Sequence, residues 1–144
     1  MSYSDEEFLT LIKAANELKP YAFYIVDSFG MMNGRDLIRL FYMLEHNLDD
    51  SIKIGFHSHN NMQLAFSNAQ QLVSIQTNRE IIIDSTIYGM GRGAGNLNSE
   101  LFIEYLNGIS NSNYNIKPLL KIIDEILELE LSRNVQSGNT QKYE

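Results

Sequence analysis

The chain is predicted to be an α/β protein in which three parallel strands alternate with helices. Apolar, β-branched and aromatic runs at Tyr21–Val26, Ile52–Phe56 and Ile81–Ile83 have the makeup of strands covered on both faces, as in a parallel sheet. Segments with apolar residues at helical spacing separate them. The strand-end residues Asp27, His57 and Asp84 stand 30 and 27 residues apart, about one β-loop-α-loop unit each. The strands are placed at roughly 22–27, 52–57 and 80–85. Right-handed crossovers would bring their ends to one rim.

The elements follow in order. Ser4-x-x-Glu7 is a capping box, and Phe8, Leu11, Ile12, Ala15 and Leu18 continue it at helical spacing. Pro20 disfavours helical geometry at Lys19, so the helix should stop there. The first strand closes in Asp27-Ser28-Phe29-Gly30. Asn33 or Gly34 opens a second helix with Leu37, Leu40, Phe41 and Leu44 as its buried stripe. His46, late in that helix, complements the helix dipole. Asn47 to Ser51 form the return loop. After the second strand, Asn60-Asn61 should open a third helix carrying Met62, Ala65, Phe66, Ala69, Leu72 and Val73. Asn98-Ser99-Glu100 caps a fourth through Leu101, Phe102, Tyr105 and Leu106. A polar linker from Gly108 to Asn115 leads to a fifth starting around Pro118, with Leu119, Ile122, Ile123, Ile126 and Leu127 on its apolar face. Residues 1–133 are expected to form one domain and 134–144 a polar tail.

Composition narrows the function. The 144 residues suit one domain, short of the roughly 250 of a (β/α)8 barrel. A net charge of −7 argues against nucleic acid and anionic membranes as partners. The absence of cysteine excludes disulfides and thiolate chemistry. No signal peptide is expected from Met1 to Glu7, and no apolar run approaches the length of a membrane span, so a reducing cytoplasm is the expected setting.

The chemistry gathers at Gly55-Phe56-His57-Ser58-His59-Asn60-Asn61. Side chains at i and i+2 of a strand share a face, so His57 and His59 should point the same way with Cα atoms about 6–7 Å apart. Two imidazoles so placed can grip one divalent ion: Mn²⁺, Mg²⁺, Co²⁺ or Zn²⁺. Set against this, a histidine at a strand end is more often surface or satisfied core. A substrate with adjacent keto and carboxylate oxygens could chelate such an ion, which would stabilise an enolate. Asp27 and Asp84 are either further ligands or partners of nearby backbone. Gly89-Met90-Gly91-Arg92-Gly93-Ala94-Gly95-Asn96 should be a mobile lid, with Arg92 either pairing a substrate carboxylate or simply exposed. A dinucleotide fingerprint at Gly89-x-Gly91-x-x-Ala94 is disfavoured, because no following strand carries the acidic ribose partner.

"GFHSHNN", some thirty residues after "VDSFG" and thirty before "DSTIYGMGRGAGN", resembles the second half of the metal-dependent aldolase and lyase TIM barrels. That superfamily includes 4-hydroxy-2-oxovalerate aldolase, hydroxymethylglutaryl-CoA lyase, and the isopropylmalate and homocitrate synthases. The glycine loop most resembles the 4-hydroxy-2-oxovalerate aldolase branch, and the similarity covers roughly residues 20 to 107. The resemblance implies a partial (β/α)8 barrel whose strands are the sixth to eighth. It implies His57 and His59 as metal ligands and Asn96 close to the metal; Asn60, directly after the histidines, is a further candidate for the vicinity of metal or substrate. It also implies Mn²⁺ or Mg²⁺ and cleavage of a 4-hydroxy-2-oxo acid to pyruvate and an aldehyde, or the reverse.

The family's aspartate ligand and catalytic arginine lie in a first-strand Asp-x-x-x-Arg-Asp motif that has no match here. Three strands alone also leave two sheet edges unpaired. The expectation is therefore an enzyme that needs a companion first-half chain or self-association, with a non-catalytic remnant or binding subunit as the alternative.

Overall fold

The computed structural model describes residues 3–110 and 112–136, with side chains through residue 129. The chain separates into two compact units, residues 1–98 and 99–144.

The first unit begins with α1 (Asp5–Leu18). The Ser4 hydroxyl accepts the Glu7 N–H, and the Glu7 carboxylate accepts the Ser4 N–H at 2.8 Å. The Ser4 N–H first, and then the Ser4 hydroxyl, hold the Glu7 carboxyl below its ordinary range. The helix ends at Lys19, whose left-handed backbone (φ 47°) sits just before Pro20. Then come β1 (Ala22–Asp27), α2 (Gly34–Asn47), β2 (Lys53–Ser58), α3 (Ala65–Val73) and β3 (Ile81–Ile83). The three strands form one parallel sheet in the order β1-β2-β3. This is a partial (β/α) barrel.

Strand alternation sorts the side chains onto two faces. Ile25, Ile54 and Phe56 join Phe8 and Ile12 of α1, Leu37, Phe41 and Leu44 of α2, and Leu72 of α3 in one apolar core. The other face carries Tyr24, Val26, Gly55 and His57, with Val26 directly opposite His57. Here the expectation of strands buried on both faces fails, because the core gathers on one face only. Val26 on the other is 49% exposed.

Three boundaries also move. β2 lies one residue later than predicted, and β3 has three residues where six were expected. Ladder bonds nevertheless continue past its ends, from Ile54 N–H to Glu80 O and from Asp84 N–H to Phe56 O. The third helix starts at Ala65, not at Asn60-Asn61. The Asn60 carbonyl accepts the Gln63 N–H, Gln63 is left-handed (φ 57°), and the Asn60 side chain accepts the Ala65 N–H at 3.1 Å. Asparagine is spent on a turn, and Met62 is left exposed.

At the opposite end of the sheet, the nearly buried Arg79 donates to the carbonyls of Glu45, Leu48, Asp49 and Ile52 and pairs with Glu45 and Asp50.

The second unit holds α4 (Ser99–Ile109) and α5 (Lys117–Gln136). Gly108 thus belongs to a helix, not to the linker. The Asn107 side chain grips the backbone of Tyr114 both ways, donating to its carbonyl and accepting its N–H. α5 runs past residue 133 to Gln136; residues 137–144 of the predicted tail lie outside the described residues. Among the described residues, no helix is long and apolar enough to cross a membrane.

Candidate functional site

Three loops at the carboxyl ends of the strands build the site, all within the first unit. His57 is in β2 and His59 follows it, with ring centroids 5.4 Å apart and planes at 84°. The rings are neighbours on one side. His57 Nδ1 lies 3.1 Å from Asp84 Oδ2, and the Tyr24 hydroxyl donates to Asp84 Oδ1 at 3.3 Å. The His59 ring makes no hydrogen bond to any described residue.

Tyr24 can reach Asp84 because Gly55 lies beneath its ring. A Cβ on Gly55 would stand 2.6 Å from ring carbons. Burial first, and then the charge of Asp84, raise the Tyr24 phenol above its ordinary 10.

Asp27 is used differently. It is buried, Oδ1 accepts the Met31 N–H at 3.1 Å, and Oδ2 accepts the Met32 N–H at 3.0 Å. Its carbonyl accepts the His59 N–H at 3.2 Å. The carboxylate thus shapes the first loop, while the main chain anchors His59. The Asn60 side chain is engaged in its turn, although its N–H donates to Gly95 O at 2.9 Å.

Backbone bonds join the glycine segment, the expected lid, to the histidine loop. Asn96 forms an antiparallel bridge with His59, Asn96 N–H donates to Gly89 O, and Gly95 N–H donates to Arg92 O. Gly95 is obligatory: φ is +91°, and a Cβ there would meet Gly89 O at 2.2 Å. The Asn96 amide donates to Met90 O at 3.2 Å, leaving its buried Oδ1 unpartnered. Arg92 is exposed and makes no ion pair among the described residues.

Sequence reasoning missed Asn61. Its Oδ1 accepts the Ala94 N–H and its Nδ2 donates to Phe29 O, both at 2.9 Å, stitching all three loops together. It also missed Tyr24, although a lone glycine inside an apolar strand signals that something packs close upon it. Among the described residues, no three His, Cys, Asp or Glu side chains gather as a metal site.

A protein-family model described as HMGL-like matches residues 1–126. The chain belongs to the HMGL-like family. It is 32% identical over 121 residues to 4-hydroxy-2-oxovalerate aldolase from Pseudoalteromonas translucida, covering 84% of this chain and 34% of that protein. To the protein of the same name from Thermomicrobium roseum it is 40% identical over 84 residues, 58% of this chain and 22% of the other. Among solved structures, the N-terminal domain of a candidate aldolase from Bacteroides vulgatus superposes with a TM-score of 0.73 at 34% identity, covering 84% of this chain and 38% of that one. Hydroxymethylglutaryl-CoA lyase from Pseudomonas aeruginosa shares the fold, with a TM-score of 0.67 at 21% identity over 85% of this chain and 43% of that one. This HMGL-like chain spans about a third of the length of the curated relatives it matches.

Proposed function

We propose that this HMGL-like chain supplies part of a divalent-metal site that makes or breaks a carbon–carbon bond on a 2-oxo acid, as a 4-hydroxy-2-oxovalerate aldolase would. The observation that carries the reading is the pair of adjacent imidazoles at the strand ends. One is backed by a carboxylate, the other has open ring nitrogens, and a buried unpartnered amide oxygen belongs to the residue bridged to His59. That donor set fits Mn²⁺ or Mg²⁺, with His57 and His59 as ligands and Asn96 Oδ1 close by. When bound, such an ion supplies Lewis-acid polarisation of a substrate oxygen.

The chain's own residues do the rest. Asp84 orients His57, Asn61 holds the glycine segment against the histidine loop, and Arg92, exposed on that segment, would pair with a substrate carboxylate. Two imidazoles and one amide leave coordination positions for substrate and for a carboxylate from elsewhere in a completed barrel. Activity therefore depends on a companion polypeptide or further barrel strands, in a cytoplasmic setting.

The test is a calorimetric titration with MnCl2, before and after adding a polypeptide that carries the first five strands of a full-length relative. Pyruvate release from 4-hydroxy-2-oxovalerate is assayed alongside. The expected result is weak Mn²⁺ binding alone, with tight binding and turnover after complementation, both abolished by His57→Ala or His59→Ala. A second reading, a non-catalytic binding subunit, is favoured by the lack of a third acidic or imidazole donor among the described residues. Tight binding without turnover would select it. No binding in either state would sink both.

A further inference from the structure

We propose that Tyr24 and Asp84 are positioning residues that lock His57 as its Nδ1–H tautomer and keep its Nε2 lone pair free. The consequence for metal binding rests on the reading above; the tautomer itself does not.

The argument starts from donors and acceptors. An ionised carboxylate only accepts, so the hydrogen between Asp84 Oδ2 and His57 Nδ1 must be carried by the imidazole. A neutral imidazole has one N–H, so Nε2 is left with its lone pair. Asp84 is held at three points. Its backbone N–H donates to Phe56 O at 3.0 Å, its Oδ1 accepts from Tyr24, and its Oδ2 faces the imidazole. The phenol fixes which oxygen His57 meets and opposes rotation of the carboxylate. The contacts span the whole sheet, because Asp84 just after β3 reaches both Tyr24 on β1 and His57 on β2. Its geometry depends on Gly55, the residue in register with Tyr24, whose missing side chain makes room for the ring.

This gives Asp84 a third role, distinct from direct ligation and from bonding local backbone. Both oxygens are already engaged, one on each side. A histidine whose far nitrogen donates to a carboxylate is the arrangement that orients metal-binding imidazoles and raises their basicity.

The experiment is a long-range proton–nitrogen NMR correlation of the histidine rings in the metal-free, ¹⁵N-labelled full chain at a pH where imidazole is neutral. His57 is expected to show a pyrrole-type Nδ1 and a pyridine-type Nε2. Asp84→Ala should convert that pattern to a mixture of tautomers, and Tyr24→Phe should broaden it by freeing the carboxylate. In the complemented assembly, Asp84→Ala should weaken Mn²⁺ binding about 10–100-fold. A wild-type His57 protonated on Nε2, or a pattern unmoved by Asp84→Ala, would overturn the proposal, and the wild-type spectrum decides even if that variant does not fold. A pattern unmoved by Tyr24→Phe overturns the part assigned to the phenol. The expected tautomer in a protein that never binds Mn²⁺ would sink the metal reading and leave this one standing.

Discussion

Gly55 and Asp49 show how much single positions carry. Replacing Gly55 by alanine drives a methyl group into the Tyr24 ring. Overpacking of that kind costs about 1–3 kcal/mol, and Gly55→Ala is expected to lower the urea midpoint accordingly. Asp49 accepts from the Ser51 hydroxyl and N–H and pairs with Lys19 at 3.3 Å. Those bonds, the hydroxyl's first, lower its carboxyl from 3.8 to about 2. A depressed folded-state value means the unfolded chain binds the proton first, so this contribution is intact above about pH 4 and fades as pH falls through about 2. Urea unfolding at both ends of that window should show a shallower acid loss in Asp49→Asn than in wild type. At this scale the shared side of His57 and His59 was legible, because strand periodicity alone dictates it. The partner of His57 was not, because Asp84 meets it through strand register, which no local pattern encodes.

Elements were legible where a local signal has one meaning. Ser4 with Glu7 and Pro20 after Lys19 bracket α1 as read. Asn60-Asn61 misled because asparagine marks both helix starts and turns, and here one side chain closes a turn while the other ties loops together. Arg79 gave no signal of its own. It serves four carbonyls at and beyond the end of α2, and it neutralises the partly buried Glu45. Arg79→Met keeps the stem but removes the donors to those carbonyls and the counter-charge of Glu45. It is expected to cost about 3–5 kcal/mol, read as a fall in thermal midpoint, and more than Arg39→Met, whose exposed pairing with Asp5 is worth little.

Across the molecule, the three-strand parallel sheet and its spacing were readable because each strand and helix repeats at one period. Which strand face stays open was not, since an apolar run looks alike whether one side or two are covered. Val26, Phe29 and Met31 remain exposed, and among the described residues no strand pairs with the outer side of β1 or β3. Sedimentation velocity should therefore show concentration-dependent self-association, reduced in a Val26→Glu, Phe29→Glu double variant.

Asn61 has a last implication. One amide spans Phe29, its own loop and Ala94, so the three strand-end segments share a single tie. A disturbance at the glycine segment is therefore expected to pass through this amide to the loop that carries the imidazoles.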